Sequence, residues 1–171
     1  YDGEKLRYER VIIMTDADVD GAHIASLLMT FFYREMPQMV ADGNLFLALP
    51  PLYRINQGNL SVYARDDAHK DELLASTFTG RGKIEISRFK GLGEMPPAQL
   101  KETTMRPDTR TLLRVVLPEG EELISSKRSS RNAKAKAGTT ADLVERLMGR
   151  KPEMRLKFIQ QNAEKVDYID V

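Results

Sequence analysis

The stretch Val11-Ile12-Ile13-Met14-Thr15-Asp16-Ala17-Asp18-Val19-Asp20-Gly21 decides how this chain folds. It opens with an unbroken apolar run rich in β-branched side chains, which is typical of a strand buried on both faces, as in a parallel sheet. Beyond Gly21 the apolar residues recur at helical spacing and predict a helix of about four turns. We assign these recurring residues to the core: Ile24, Leu27, Leu28, Phe31 and Phe32.

The elements around this stretch predict an α/β fold. A second buried strand at Leu45–Leu49 follows the turn Asp42-Gly43, and strand, helix and strand together form a right-handed parallel βαβ unit. Further along, residue patterns predict the following elements: half-buried strands at 60–64 and 84–89, a helix at 66–75, a helix from Pro97 to Thr104, a strand at 112–117, and two final helices beginning at Thr139 or Thr140 and at Pro152.

Composition excludes several classes of protein. The 171 residues contain no Cys and two His, which rules out disulfides and thiolate metal sites and argues against a multi-His zinc site. The net charge of +1 provides no overall basic field. No apolar run is long enough to span a membrane, so we expect a cytoplasmic protein without membrane contact. Because the chain opens with Tyr1, we expect it to be an internal piece of a longer polypeptide.

Asp16, Asp18 and Asp20 form the first candidate site, at the C-terminal end of the predicted strand, where sites form in open α/β sheets. Three neighbouring carboxylates repel each other unless a cation holds them. Ligands that are all oxygen suit Mg²⁺. The alternative is an acidic turn whose side chains cap the start of the helix.

Two other uses of this acidic pattern fit less well. An EF-hand loop needs Glu at its twelfth position, which is Leu27 here, and a helix before it. A Mg²⁺-dependent phosphatase of the haloacid-dehalogenase type would use the first Asp as a nucleophile and needs a further Lys and acidic pair. Asp66-Asp67 is the only adjacent Asp pair, and its setting predicts the start of a helix.

Two basic features complete the candidates. In Arg88-Phe89-Lys90-Gly91-Leu92-Gly93-Glu94-Met95, two glycines beside Lys90 allow close backbone approach to a phosphate or simply form a tight turn. Five basic residues between 127 and 136, with no acid from Leu123 to Ala141, predict a mobile basic linker. Such a run either contacts DNA phosphates or is solvated.

Both motifs together, in this order, resemble the B subunits of bacterial type IIA topoisomerases. The acidic stretch from Thr15 to Ile24 resembles the acidic motif of their TOPRIM domain. Similarity continues through Gly43 to Tyr53, Arg88 to Met95, Gln99 to Met105, and the chain end, outside the basic linker. Ile24-Ala25 favours the topoisomerase IV branch over the gyrase branch.

The resemblance implies roles for individual residues. Asp16 and Asp18 match Mg²⁺ ligands, and Asp20 matches a supporting or alternate ligand. His23 is a candidate DNA-backbone contact or a partner of nearby backbone, and Arg88 and Lys90 are weaker candidates for DNA binding. No catalytic residue is assigned, because the family's general acid/base Glu belongs to a segment absent from this chain.

The resemblance also implies an architecture and an activity. The fold is the C-terminal half of a TOPRIM domain with its Rossmann-like parallel sheet (1–56), an α+β extension (57–117), the basic linker (118–139) and C-terminal helices (140–171). The parent would relax and decatenate double-stranded DNA in an A2B2 complex with a topoisomerase IV or gyrase A subunit, close to the nucleoid. ATP would bind its missing N-terminal domain. A module that only binds the A subunit or DNA remains an alternative, as does the phosphatase.

Overall fold

The computed structural model describes residues 1–121 and 137–165. The basic run at 127–136 and the chain end at 166–171 lie outside the described residues. The described helices and strands follow in chain order: β1 (Val11–Ile13), α1 (Val19–Glu35), α2 (Pro37–Ala41), β2 (Leu45–Ala48), β3 (Tyr53–Gln57), β4 (Leu60–Ala64), α3 (Asp67–Ser76), β5 (Ile84–Arg88), α4 (Pro97–Leu100), β6 (Leu112–Arg114), α5 (Thr140–Met148) and α6 (Pro152–Asn162).

The first sheet has the strand order β1-β2-β6. Backbone hydrogen bonds join Leu49 N–H to the Thr111 carbonyl at 3.1 Å and Val115 N–H to the Leu45 carbonyl at 2.9 Å. These two bonds pair β2 and β6 in opposite directions. The strand predicted over 112–117 is shorter than expected and ends at Arg114. The predicted α/β fold class is confirmed by the mixture of helices and small sheets.

The second sheet has the order β4-β3-β5, and its central strand was missing from our predictions. Strand β3 pairs antiparallel with both neighbours, and Ile55 lies opposite Val62 on β4 and Ile86 on β5. Only Tyr53 and Ile55 alternate with polar residues in β3, which is too short an apolar pattern to distinguish a strand from an extended loop.

The contacts divide the described residues into two compact units: Tyr1–Val11 with Ser26–Leu45 and the described residues from Arg114 onward, and Ile12–Ala25 with Phe46–Leu113. The second unit has a core on one face of the β4-β3-β5 sheet. Its buried members are Tyr53, Ile55, Ala64 and Phe78. Side chains of α3 pack on the same cluster, which joins the helix to the sheet.

Our assignment of the α1 stripe to the core is wrong. Ile24, Leu27 and Phe31 are 50%, 49% and 48% exposed, Leu28 is 40% exposed, and Phe32 is partly buried. The buried side chains of the helix are instead Ala25 and Tyr33. Helical spacing shows that side chains share a face, but it does not show which face the rest of the chain covers.

The predicted helix ends agree closely with the structure. Thr139 is the N-cap of α5 and accepts a hydrogen bond from Asp142 N–H, while Gly149 ends the helix. Pro152 opens α6. The helix predicted from Pro97 to Thr104 is α4 followed by a π-helical turn at Lys101–Met105, where Arg106 N–H reaches the Lys101 carbonyl at 2.9 Å.

Candidate metal and nucleic-acid site

The acidic turn after β1 is closed by Asp18 and Gly21. The Asp18 carboxylate accepts a hydrogen bond from Gly21 N–H at 2.7 Å and so caps the first turn of α1. A Cβ at Gly21 would lie 2.1 Å from the Asp16 carbonyl oxygen. The turn therefore requires glycine at this position for space, and the capping alternative is correct for one oxygen of Asp18.

Asp16 is held by a segment that is distant in sequence. Its Oδ1 accepts a hydrogen bond from Leu92 N–H at 2.7 Å, across 76 residues of chain. Gly91 approaches the same carboxylate so closely that a Cβ there would lie 3.0 Å from Asp16 Cγ. The two motifs singled out in the sequence therefore touch each other.

The glycine-bearing loop is itself closed by a short-range bond. Glu94 accepts a hydrogen bond from Lys90 N–H at 2.8 Å, and a 3₁₀ turn covers Leu92–Glu94. The two glycines were predicted either to permit approach to a phosphate or to form a tight turn, and the 3₁₀ turn fits the second alternative. The structure also shows that Gly91 permits approach to Asp16. Gly91 and Leu92 are thus the site residues that sequence analysis missed, although the glycine pair indicated a close backbone approach.

The chemistry of Asp16 and Asp18 fits a hydrated divalent cation. Both residues are exposed, and each carboxylate uses one oxygen for a backbone N–H. No hydrogen bond of either second oxygen is found within the described ranges 1–121 and 137–165. Those ranges also contain no group of three His, Cys, Asp or Glu side chains that could hold a metal ion. The second oxygens of Asp16 and Asp18 are donors that suit Mg²⁺, which keeps several waters and takes one or two carboxylates.

Asp20 and His23 lie in the first turns of α1, and both are exposed. Asp20 is placed where the helix dipole favours negative charge. No side-chain hydrogen bond of His23 is found among the described residues, so the alternative in which it bonds to nearby backbone receives no support. Both residues stay predictions as a supporting ligand and a DNA contact.

Arg88 lies near an aromatic ring, whereas Lys90 is exposed in the loop. The Arg88 guanidinium lies 5.9 Å from the centre of the Tyr53 ring, and the Lys70 ammonium lies 4.8 Å from it. Lys90 is exposed and adjoins Gly91. The two cations thus occupy the end of β5 and the loop that reaches Asp16, and their roles in DNA binding stay predictions.

Tyr53 also joins a charged group at the start of α3. Its hydroxyl donates to Asp67 Oδ1 at 2.8 Å, and this hydrogen bond raises the pKa of Tyr53. The Lys70 ammonium lies 2.7 Å from the same oxygen, and hydrogen bonds from Lys70 and then Tyr53 lower the pKa of Asp67. The pKa of Lys70 is raised in turn, chiefly by its hydrogen bond to Asp67.

The other member of that acidic pair is used structurally as well. Asp66 is the N-cap of α3 and accepts a hydrogen bond from His69 N–H at 2.7 Å. Both members of the only adjacent Asp pair therefore have structural roles, as their setting in the sequence predicted. The phosphatase alternative finds no support in them.

A cavity of about 330 Å³ lies beside the loop, and sequence analysis did not foresee it. Arg54, Arg88 and Glu94 contribute to its wall. Arg54 is held by a hydrogen bond from its Nε to Ser61 Oγ at 2.9 Å. No sequence pattern indicated a role for Arg54, because it lies on β3, the strand that was not predicted.

Comparison with known proteins places both motifs in one family. Residues 1–48 match the model of the Toprim domain, and residues 81–160 match that of the DNA gyrase B subunit, carboxyl terminus. The B subunit of DNA topoisomerase 4 from Caulobacter vibrioides is 63% identical over 96% of this chain and 21% of that protein. The chain is similar over nearly its whole length to part of the B subunits of bacterial type II topoisomerases.

Other B subunits of this family show the same pattern. The B subunit of DNA topoisomerase 4 from Bartonella bacilliformis is 56% identical over 100% of this chain and 22% of that protein. The B subunit of DNA gyrase from Thermotoga maritima is 46% identical over 100% of this chain and 24% of that protein. The predicted resemblance is confirmed, and the chain spans about a fifth to a quarter of the length of these relatives.

The matched segments divide the site between them. The Toprim segment, a metal-binding domain of topoisomerases, carries the three acidic residues and His23. The gyrase-B carboxyl-terminal segment carries Arg88, Lys90 and Gly91.

None of the helices among the described residues has the length and hydrophobicity needed to span a membrane.

Proposed function

We propose that this chain supplies the metal-binding surface of the DNA-cleavage core of a bacterial type II topoisomerase, most like topoisomerase IV. Asp16 and Asp18 hold Mg²⁺, with Asp20 as a supporting or alternate ligand. One observation carries the proposal: two carboxylates in the Toprim segment are each anchored by one backbone N–H at 2.7 Å, and each keeps a second oxygen for a cation.

The residues of this chain bind and orient, and none is assigned a catalytic role. When bound, Mg²⁺ supplies Lewis-acid stabilisation of the scissile phosphate and the leaving oxygen. Asp16 and Asp18 determine the position of the cation, because the hydrogen bonds from Leu92 N–H and Gly21 N–H limit rotation of the two carboxylates. The general acid/base Glu that the family uses belongs to a preceding segment of the parent.

DNA contacts are proposed for His23, Arg88 and Lys90. Lys90 lies at the start of the loop whose Leu92 N–H meets Asp16. We therefore propose that a phosphate bound by Lys90 lies close to the acidic site. Cationic side chains next to carboxylates reduce the repulsion that a DNA backbone would otherwise meet there. The basic run at 127–136 is a further proposed phosphate contact.

The parent is proposed to relax and decatenate double-stranded DNA as an A2B2 complex with a topoisomerase IV or gyrase A subunit. ATP binds a domain outside this chain. Within the chain, we propose the division 1–56 (C-terminal half of the Toprim domain), 57–117 (extension), 118–139 (linker) and 140–171 (helices).

Metal binding is tested by titrating the 171-residue chain with Mn²⁺ by electron paramagnetic resonance. Two carboxylates alone give weak binding, with a dissociation constant of about 10⁻⁴ to 10⁻³ M. Asp16→Asn and Asp18→Asn should each weaken it at least tenfold. Asp108→Asn, an exposed acid outside the site, is the matched control and should leave it unchanged. Equal binding in all four proteins would contradict the proposed site.

DNA binding is tested by measuring affinity for a short duplex against salt concentration. Lys90→Ala should lower the magnitude of the slope of log K against log salt by about 0.9, the value for one phosphate contact. Lys157→Ala, an exposed lysine on α6, is the control and should not change the slope. An unchanged slope for Lys90→Ala would remove Lys90 from the proposal.

A cleavage assay in the complex of the longer parent B subunit with its A subunit distinguishes the proposed function from the alternative in which the chain only binds. In a reconstituted complex with the A subunit, Asp16→Asn should abolish DNA cleavage and leave A-subunit binding intact. Cleavage that persists at the level of the unsubstituted complex would favour a module that binds without taking part in chemistry.

A further inference from the structure

The loop at Lys90–Glu94 reaches the acidic site through its backbone. Leu92 N–H donates to Asp16 Oδ1 at 2.7 Å, and the Glu94 carboxylate closes the loop by accepting from Lys90 N–H at 2.8 Å. The loop thus presents a backbone amide donor to the carboxylate. A hydrogen bond from an amide to an ionised carboxylate is stronger than one between neutral groups.

Position 91 lies in tight contact with the Asp16 carboxylate. Its φ of −157° and ψ of 170° describe extended backbone, which any residue can adopt. A Cβ at this position would nevertheless lie 3.0 Å from Asp16 Cγ, 3.1 Å from Oδ1 and 3.2 Å from Oδ2. The side chain that would have to give way is therefore the Asp16 carboxylate, together with the amide that holds it.

Gly93 is a natural comparison in the same loop. A Cβ added at Gly93 would meet no atom within 4 Å. The two glycines therefore share a loop and a sequence context but differ in their relation to Asp16. A substitution at Gly93 tests loop flexibility alone, whereas the same substitution at Gly91 tests contact with the carboxylate.

We propose that Gly91 is a positioning residue for the metal site. Its missing side chain lets Leu92 N–H hold Asp16 Oδ1, which would leave Oδ2 as the oxygen for a divalent cation. The inference rests on the proposed function, since it gives Asp16 the role of a metal ligand. It adds that the loop at Lys90–Glu94 orients the Asp16 carboxylate. Metal affinity would then depend on Gly91, a residue that does not itself bind the metal.

The first test needs no metal. Hydrogen exchange of the Leu92 amide is followed by NMR in the 171-residue chain. Asp16→Ala removes the acceptor and should speed exchange of this amide about tenfold or more. Gly91→Ala should produce the same change, while Gly93→Ala should not. Amides of the β3–β4 ladder serve as internal reference, because unchanged exchange there shows that the second unit remains folded.

The second test uses Mn²⁺ affinity in a double-substitution cycle. Gly91→Ala should weaken Mn²⁺ binding about tenfold, the size typical of residues that orient a metal ligand. In the Asp16→Asn background, Gly91→Ala should have no further effect on any residual binding. If Gly91 had a purely structural role, Gly91→Ala would instead weaken Mn²⁺ binding equally in both backgrounds. It would also speed hydrogen exchange of the amides in the β3–β4 ladder.

The possible failures are distinct. Leu92 exchange that is unchanged by Gly91→Ala overturns the positioning role, whatever the metal affinity. Absence of Mn²⁺ binding in the unsubstituted chain contradicts the proposed metal site, while the exchange result still decides whether Gly91 positions Asp16.

Discussion

Asp18 has separate tasks for its two carboxylate oxygens. Oδ1 accepts from Gly21 N–H at 2.7 Å and satisfies a donor that the helix itself leaves unpaired. The other oxygen is the one proposed to bind the cation. Capping and metal binding were alternatives in the sequence, but the structure makes them compatible because each needs only one oxygen.

The two tasks of Asp18 can be separated by substitution. Asp18→Asn keeps a side-chain oxygen for the cap and removes the charge, so we expect Mn²⁺ binding to weaken at least tenfold with little change in stability. Asp18→Ala removes both and should lower the free energy of unfolding by about 1 kcal/mol. Urea denaturation and Mn²⁺ titration of both variants provide the comparison. Equal stability of the two variants would show that the cap contributes nothing.

At the scale of elements, sequence patterns located most helices and strands but not what covers them. Proline, glycine and threonine marked the ends of α5 and α6, because capping and φ restriction act locally. Strand β3 was not predicted because it contains few apolar residues. The α1 stripe was assigned to the wrong side because burial depends on neighbours that periodicity does not specify.

Strand β3 should carry much of the stability of the second unit. Ile55 is fully buried, so Ile55→Ala should lower the free energy of unfolding by about 2–5 kcal/mol. Ile86 lies directly opposite on β5 but is 48% exposed, so Ile86→Ala should cost about 1 kcal/mol. Urea denaturation of the matched pair measures the difference. Similar losses for both would show that the β3 core is not the main contributor.

Attachment of α3 to β3 should depend on pH through Asp67. Its pKa is lowered from 3.8 by hydrogen bonds from Lys70 and Tyr53, so the folded state favours the ionised form. The resulting stability is present above pH 3.8 and is lost as the pH falls through the lower, folded pKa. Asp67→Asn should flatten this acid dependence in urea denaturation at several pH values. Asp71→Asn, on the same helix, should preserve it.

At the scale of the whole molecule, the candidate site combines segments that are far apart in sequence. The order of the two motifs was enough to predict the family, which the comparisons confirm. The bond between Leu92 and Asp16 could not be predicted, because it depends on how the chain folds over 76 residues. Sequence patterns thus identified the candidate residues, while only the structure showed which of them meet.

The apolar stripe of α1 leads to the last prediction. Leu27, Leu28 and Phe31 are 40–49% exposed and lie on one helical face with Ile24, so they form a contiguous apolar surface. This surface should bind the dye anilinonaphthalene sulfonate. Phe31→Glu should reduce the dye fluorescence and change the free energy of unfolding by less than about 0.5 kcal/mol, because an exposed side chain contributes little to folding.

Val116→Glu is the control for that prediction. Val116 is 68% exposed and lies outside the stripe, so its substitution should leave the dye signal unchanged. A large loss of stability in Phe31→Glu, measured by urea denaturation, would mean that the ring is covered in solution. Because the stripe was first assigned to the core on its spacing alone, this measurement decides directly whether spacing or the surrounding chain determines the burial of α1.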